Sequence, residues 1–288
     1  MKTNQRSLLE IHLAVFLFGL AGLFGKLVAL PATIIVFGRV AFGSLALFAF
    51  LKAQKTNIAL HSSKDYGLFV LLGIVLAVHW TTFYESIQVS TVAIGLISFS
   101  TFPMFVTFLE PLLFKEKVKL RDLFLAVVTV FGATLVVPTF GLGNNVTQGV
   151  LWGLVSAATF ALLSVLNRKA VKRYSSQIVA LFQDFVATLV LLPFLFIVRP
   201  SFSIKDILLL IFLGVVLTAI SHSLYINGMK HIKAHTASII ASLEPVYGIV
   251  FALALFHEVP SMMTVIGGVI ILGAALYSSL TNSSFSSE

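Results

Sequence analysis

Apolar runs about 20 residues long recur along the whole chain, separated by short polar breaks. A membrane-spanning helix needs roughly 20 mostly apolar residues. Ten such runs can be counted, near 11–30, 32–51, 66–85, 91–114, 121–139, 148–167, 175–198, 206–226, 236–256 and 260–280. Several connections are minimal, such as Leu30-Pro31-Ala32 and His257-Glu258-Val259. They leave no room for a soluble domain. The pattern predicts an all-α integral membrane protein with about ten transmembrane helices. The closing SSLTNSSFSSE, polar and Ser-rich, reads as a disordered tail.

Composition agrees. Of the 288 residues 58% are hydrophobic and only 10% charged, against about 25% charged in soluble chains. With no Cys, disulfides, thiolate metal sites and cysteine nucleophiles are excluded. The net charge of +8 does not point to nucleic acid, because the basic residues sit in short clusters between apolar runs. With the N-terminus placed in the cytoplasm, 15 of the 19 Lys and Arg residues fall on that side. They are Lys2 and Arg6; Lys52, Lys55 and Lys64; Lys115, Lys117, Lys119 and Arg121; Arg168, Lys169, Lys172 and Arg173; Lys230 and Lys233. The outer side holds Arg199 and Lys205, while Lys26 and Arg39 fall inside predicted spans. This asymmetry predicts a bacterial-type inner membrane protein with both termini cytoplasmic. The first run lacks a small-residue cleavage site and reads as a retained helix.

Two stretches of 17 residues nearly repeat one another: STFPMFVTFLEPLLFKE at 100–116 and SLEPVYGIVFALALFHE at 242–258. Pro103 pairs with Pro245, and Glu116 with Glu258, at an offset of 142; Tyr84 pairs with Tyr225, and Gly132 with Gly273, at 141. Two five-helix halves follow, residues 11–139 and 148–280. Five is odd, so the second half enters the membrane inverted relative to the first. The charges agree, since Lys115 to Arg121 follow the fourth span of the first half, whereas the His257-Glu258 turn carries no Lys or Arg. Inverted repeats are a recurring architecture of secondary transporters, with the substrate near the midplane.

The two halves, each with a Ser-x-x-Pro helix that ends in Lys-Glu or His-Glu before its last span, resemble the EamA family of the drug/metabolite transporter superfamily. The resemblance covers residues 11–280. Ser-Leu-Glu-Pro-Val with Phe-His-Glu in the second copy is close to the family pattern; Ser-Thr-Phe-Pro-Met in the first departs from it. The resemblance implies a secondary active transporter, chiefly an exporter, of small metabolites such as amino acids. It also implies alternating access and coupling to protons, but names no single substrate; a choline-like amine, a nucleoside or a drug is the alternative to an amino acid.

Charges and polar groups inside the spans are the candidate site, because a charge at the bilayer centre costs roughly 2.5–3.5 kcal/mol on insertion scales. Glu244, followed by Pro245, is the deepest acid of the second half, either a proton-coupling acid or one hydrogen-bonded to a neighbouring helix. Pro103 and Pro245 predict helix kinks. Glu110 lies near the cytoplasmic end and reads as an ion-pair residue. His79, Trp80 and Tyr84 on the third span, and His222, Tyr225 and Asn227 on the eighth, are candidate substrate-binding residues for a small amphipathic solute. For Tyr84 and Tyr225 an interfacial aromatic belt is the alternative. Arg39 and Asp184, in spans two and seven, are candidate partners or gates. Lys26 is a coupling candidate or a snorkelling cation. Trp152 reads as interfacial, although the resemblance puts its helix beside the cavity. Gly19, Gly22 and Gly25 read as a close-packing face.

GLAGLFGKL at 19–27 is one residue too long for a Walker A loop, has Leu27 where Ser or Thr should stand, and lies in an apolar helix. His231 and His235 have ligand spacing but no accompanying acid. No metal and no cofactor is expected. The rival classes are an intramembrane enzyme, which would want clustered Asp or a Ser/His pair, and a channel, which would want an oligomeric pore ring. The repeat lies within one chain, so a monomer is compatible with it. The partners expected are a small solute, protons and the lipid bilayer.

Overall fold

The computed structural model describes residues 3–114, 120–136, 141, 143–232, 234–241 and 243–283. Lys2, Lys115, Glu116, Lys117, Lys119, Lys233, Ser242 and residues 284–288 lie outside them, as do the side chains of Lys64 and His235. The described residues form helices joined by short turns, without strands. In lipid a helix satisfies every backbone polar group within its own segment, so apolar runs with short breaks fold this way.

In chain order the elements are α1 (Thr3–Gly22), α2 (Phe24–Leu27), α3 (Ala32–Ala53), α4 (Ser63–Val89), α5 (Val92–Phe99), α6 (Phe102–Phe114), α7 (Leu120–Val136), α8 (Asn145–Ala170), α9 (Ser176–Val198), α10 (Ile204–Gly214), a π-helical stretch (Val215–Ile220), α11 (Ser221–Gly228), α12 (Ala234–Ala241), α13 (Glu244–Phe256) and α14 (Met262–Ser283). Seven helical segments among the described residues are long and apolar enough to cross a membrane. They match sequence runs one to four and six to eight. Runs five, nine and ten correspond to the shorter apolar stretches Val127–Val136, Glu244–Phe256 and Met262–Ala274. The first part of the tail differs from expectation, since α14 continues to Ser283, and 284–288 lie outside the described residues.

At the two prolines the structure interrupts the helix where a kink was expected. The fourth run divides into α5 and α6 at Ser100-Thr101, and the ninth into α12 and α13 before Glu244. Each Pro then stands in the first turn of the second piece, where its missing N–H leaves no bond unmade. At the break short hydroxyls add a second donor to the last carbonyls: Ser100 Oγ donates to Leu96 O at 2.7 Å and Thr101 Oγ1 to Ser98 O at 2.8 Å, beside the backbone N–H groups of the same two residues. At the start of α5, Thr91 Oγ1 accepts from Ile94 N, and Glu258 Oε2 accepts from Val92 N at 3.0 Å. The acid that ends the second 17-residue stretch thus caps the broken helix of the first half. His257, just before it, ends α13 in a left-handed conformation with φ 54°.

α4 packs along α8 and α9, α3 along α9 and α10, α1 along α11 and α13, and α7 along α14. Among the crossings tight enough to need glycine, two bear on the polar interior. A Cβ on Gly19 would stand 2.8 Å from Tyr247 Cβ and 3.1 Å from Glu244 O, which brings α1 against the start of α13. A Cβ on Gly214 would stand 2.8 Å from Arg39 O and 3.0 Å from Gly43 N, which brings α10 against α3. Toward the basic side, Arg168 of α8 hydrogen-bonds Glu110 of α6. Arg173 Nη1 donates to Asp65 Oδ1 at 2.7 Å, and Tyr174 OH to Asp65 Oδ2 at 2.6 Å.

Candidate functional site

Where α1, α3, α4, α5, α8, α11 and α13 converge, a cavity is lined by Phe18, Ala21, Arg39, His79, Trp80, Phe83, Phe99, Phe160, His222 and Glu244. Five of these are residues that the sequence singles out: Arg39, His79, Trp80, His222 and Glu244. They come from distant points of the chain, and every residue of the lining is buried. The volume is about 20 Å³, room for about one water. The side chains of the lining nearly fill it, and a solute of metabolite size needs the surrounding helices to move apart.

Arg39 is the centre of the polar part, 2% exposed. Its guanidinium carbon lies 3.6 Å from the centroid of the Trp80 ring, a cation–π contact in a desolvated setting. Nε donates to Thr218 Oγ1 at 2.9 Å, Nη1 to Tyr84 OH at 3.2 Å, and Nη2 to Leu217 O at 3.4 Å. Thr218 and Leu217 belong to the π-helical stretch, where the wider turn shifts the backbone register and re-aims carbonyls. Tyr84 is fully buried and its hydroxyl donates to Ala21 O at 2.9 Å, so it buttresses Arg39 and takes no part in an interfacial belt.

The acids are arranged around this cation without bonding to it. Glu244 occupies the first turn of α13, where the exposed N–H groups of a helix start favour a carboxylate. It makes no hydrogen bond among the described residues. Asp184 of α9 is fully buried, and neither carboxylate oxygen has a hydrogen-bond partner among the described residues. Its nearest basic group is His222, with Nδ1 3.9 Å from Asp184 Oδ1. Arg39 and Asp184 face the same interior, yet of the two alternatives, partners or gates, the direct pair is not formed.

His79 Nδ1 lies 2.9 Å from Ser156 Oγ and 3.0 Å from Ser156 O, which ties α4 to α8. Its ring packs on Phe160 at 4.8 Å and Phe99 at 5.4 Å between centroids. Trp80 and His222 meet at 5.5 Å. Tyr225 stands just behind the lining, against Phe18 at 5.6 Å and Phe160 at 5.8 Å.

Two candidates are placed elsewhere. Asn227 Nδ2 donates to Glu10 Oε2 at 2.7 Å, so its amide is spent tying α11 to α1 rather than lining the cavity. Lys26 Nζ donates to Ser90 O at 3.0 Å and Gln88 O at 3.5 Å, capping the C-terminal end of α4. Both lie near helix ends, where the bonds available are to neighbouring helices. Trp152 is half-exposed on the outside of the bundle. The phenylalanines of the lining and Thr218 were not singled out. Phe18 and Phe160 carried a signal, standing 142 residues apart like the two prolines.

The chain is 27% identical over 254 residues to the pseudopaline exporter CntI of Pseudomonas aeruginosa, covering 88% of this chain and 87% of that protein. It is 26% identical over 243 residues to the S-adenosylmethionine uptake transporter of Rickettsia prowazekii, covering 84% and 81%. An Archaeoglobus fulgidus protein named only as a transporter matches at 26% over 266 residues, covering 92% and 93%. A solved crystal structure with 17% identity superposes with a TM-score of 0.71, covering 96% of this chain and 98% of that one, and shows the same fold. The sequence model of the EamA-like transporter family matches twice, over residues 6–137 and 147–280. The cavity draws its walls from both matched stretches, and a multi-pass helical chain built this way is a transporter rather than an enzyme: it belongs to the EamA-like transporter family.

Proposed function

We propose that this chain is a secondary active transporter that carries small metabolites, amino acids foremost, by alternating access between two inverted five-helix repeats, residues 11–139 and 148–280. The observation that carries this reading is the buried cavity joining Arg39, Trp80 and His79 from the first half to His222 and Glu244 from the second. A site shared between halves opens to one side or the other as the halves rock. The inverted repeat is supported by the packing, because mates meet mates: α3 packs on α9 and α7 on α14. The paired helix breaks before Pro103 and Pro245 support it as well.

Glu244 is the coupling acid of this proposal, protonated from one side and released to the other. Export is the direction proposed, on the name of the pseudopaline relative; the Rickettsia relative is named for uptake. The protein sits in the inner membrane with both termini cytoplasmic. Purified protein in liposomes tests the reading. Saturable exchange of an unlabelled for a labelled solute is expected. Ohmic current, or chemical conversion without flux, would replace the carrier by a channel or an enzyme.

A further inference from the structure

We propose that Arg39 is the anchor for a carboxylate on the transported solute, so that the site selects a zwitterion over the corresponding free amine. The inference rests on the transport reading above and names the chemistry of its site. A guanidinium buried in a membrane protein needs compensation. Asp184 and Glu244 attract Arg39 only through space, and the groups in contact with it are neutral: the Thr218 hydroxyl, the Tyr84 hydroxyl, the Leu217 carbonyl and the Trp80 ring face. These orient the group without neutralising it. Among the described residues no carboxylate oxygen lies within 4.0 Å of it, although Asp184 and Glu244 belong to the same interior.

A guanidinium carries five N–H donors in a rigid fork. Three are spent on these neighbours, which leaves two on a side chain that lines the cavity. Two donors of one planar fork match the two oxygens of a carboxylate. Glu244, without a hydrogen bond of its own, lines the same cavity and faces the cationic end of such a solute. The four phenylalanines supply the wall for an apolar remainder.

Trp80 is a built-in reporter. The chain has two Trp, and Trp152 lies half-exposed on the outside of the bundle, so the Trp152→Phe protein carries its single indole against Arg39. The probes are the common amino acids, titrated into this protein in detergent while Trp80 emission is followed. Each amino acid that responds is then compared with its amide and its decarboxylated amine. At least one amino acid is expected to give a saturable change. Its amide and amine should bind on the order of 10–100-fold more weakly, as for loss of a charged hydrogen-bonded pair. Arg39→Lys should weaken the acid several-fold more than the amine, because Lys keeps the charge but loses the two-pronged fork. Amines or amides that bind as tightly as the acid, or no saturable response to any amino acid, overturn the proposal. Counterflow of the responding solute in liposomes separates the two readings. Flux without carboxylate preference sinks the anchor alone. Carboxylate-selective binding without flux sinks the transport reading and leaves the anchor standing.

Discussion

Glu244 and Phe102 hold equivalent places before Pro245 and Pro103 in the two 17-residue stretches. One is a buried acid on the cavity and the other a fully buried ring stacked on Phe99 at 5.0 Å. The two halves are therefore chemically unequal at the point where both helices break. A neutral ring has nothing to exchange with water, whereas a carboxyl without a partner can gain and lose a proton as its surroundings open. Glu244→Gln is expected to remove flux driven by a pH gradient while solute exchange persists, measured in liposomes with and without an imposed gradient. Full gradient-driven flux in the variant would assign coupling elsewhere, with Asp184 beside His222 the next group to test.

The elements that matter most are those that depart from regular α-helix. The π-helical stretch presents Leu217 O and Thr218 to Arg39, and the breaks before α6 and α13 bring helix starts to the interior. The crossing of α3 and α10 positions Arg39, and it depends on having no side chain at Gly214. An added Cβ there meets Phe42 Cβ at 2.6 Å and Arg39 O at 2.8 Å. Because backbone cannot give way like the tip of a side chain, Gly214→Ala is expected to cost about 1–3 kcal/mol by overpacking. The readout is a lower melting temperature in detergent together with weaker solute binding. An unchanged melting temperature would show that α10 can slide past α3.

At the scale of the molecule, the cytoplasm-facing end in this reading is closed by Glu110–Arg168 and by the Asp65, Arg173 and Tyr174 cluster. The opposite end is closed by Lys26 on the end of α4 and by Glu258 on the start of α5. The chain lacks Cys, so single cysteines report sidedness without background. Lys55→Cys and Ser201→Cys both fall on exposed loop positions. A membrane-impermeant thiol reagent applied to intact cells is expected to label Ser201→Cys and spare Lys55→Cys. The reverse pattern would turn the whole molecule over in the membrane.

Helicity and membrane residence were determined by the sequence alone. Long apolar runs with few charges cannot fold in water, and in lipid only internally bonded backbone is stable. Arg39, His79, Trp80, His222 and Glu244 were legible for the same reason, since a polar or amphipathic group inside an apolar run is expensive and so stands out. Lys26 and Asn227 stood out equally, and sequence does not say that they meet helix ends and Glu10 rather than the cavity. Phe83 and Phe99 of the lining were hidden among 27 of their kind, and Phe18 and Phe160 differed from the rest only by their spacing. What only the tertiary structure decided is who meets whom: Arg39 finds Thr218 across 179 residues of chain, through a π turn that no local pattern announces. Such contacts depend on how helices cross and where their carbonyls point, and both are set by packing between segments rather than by the residues within any one of them.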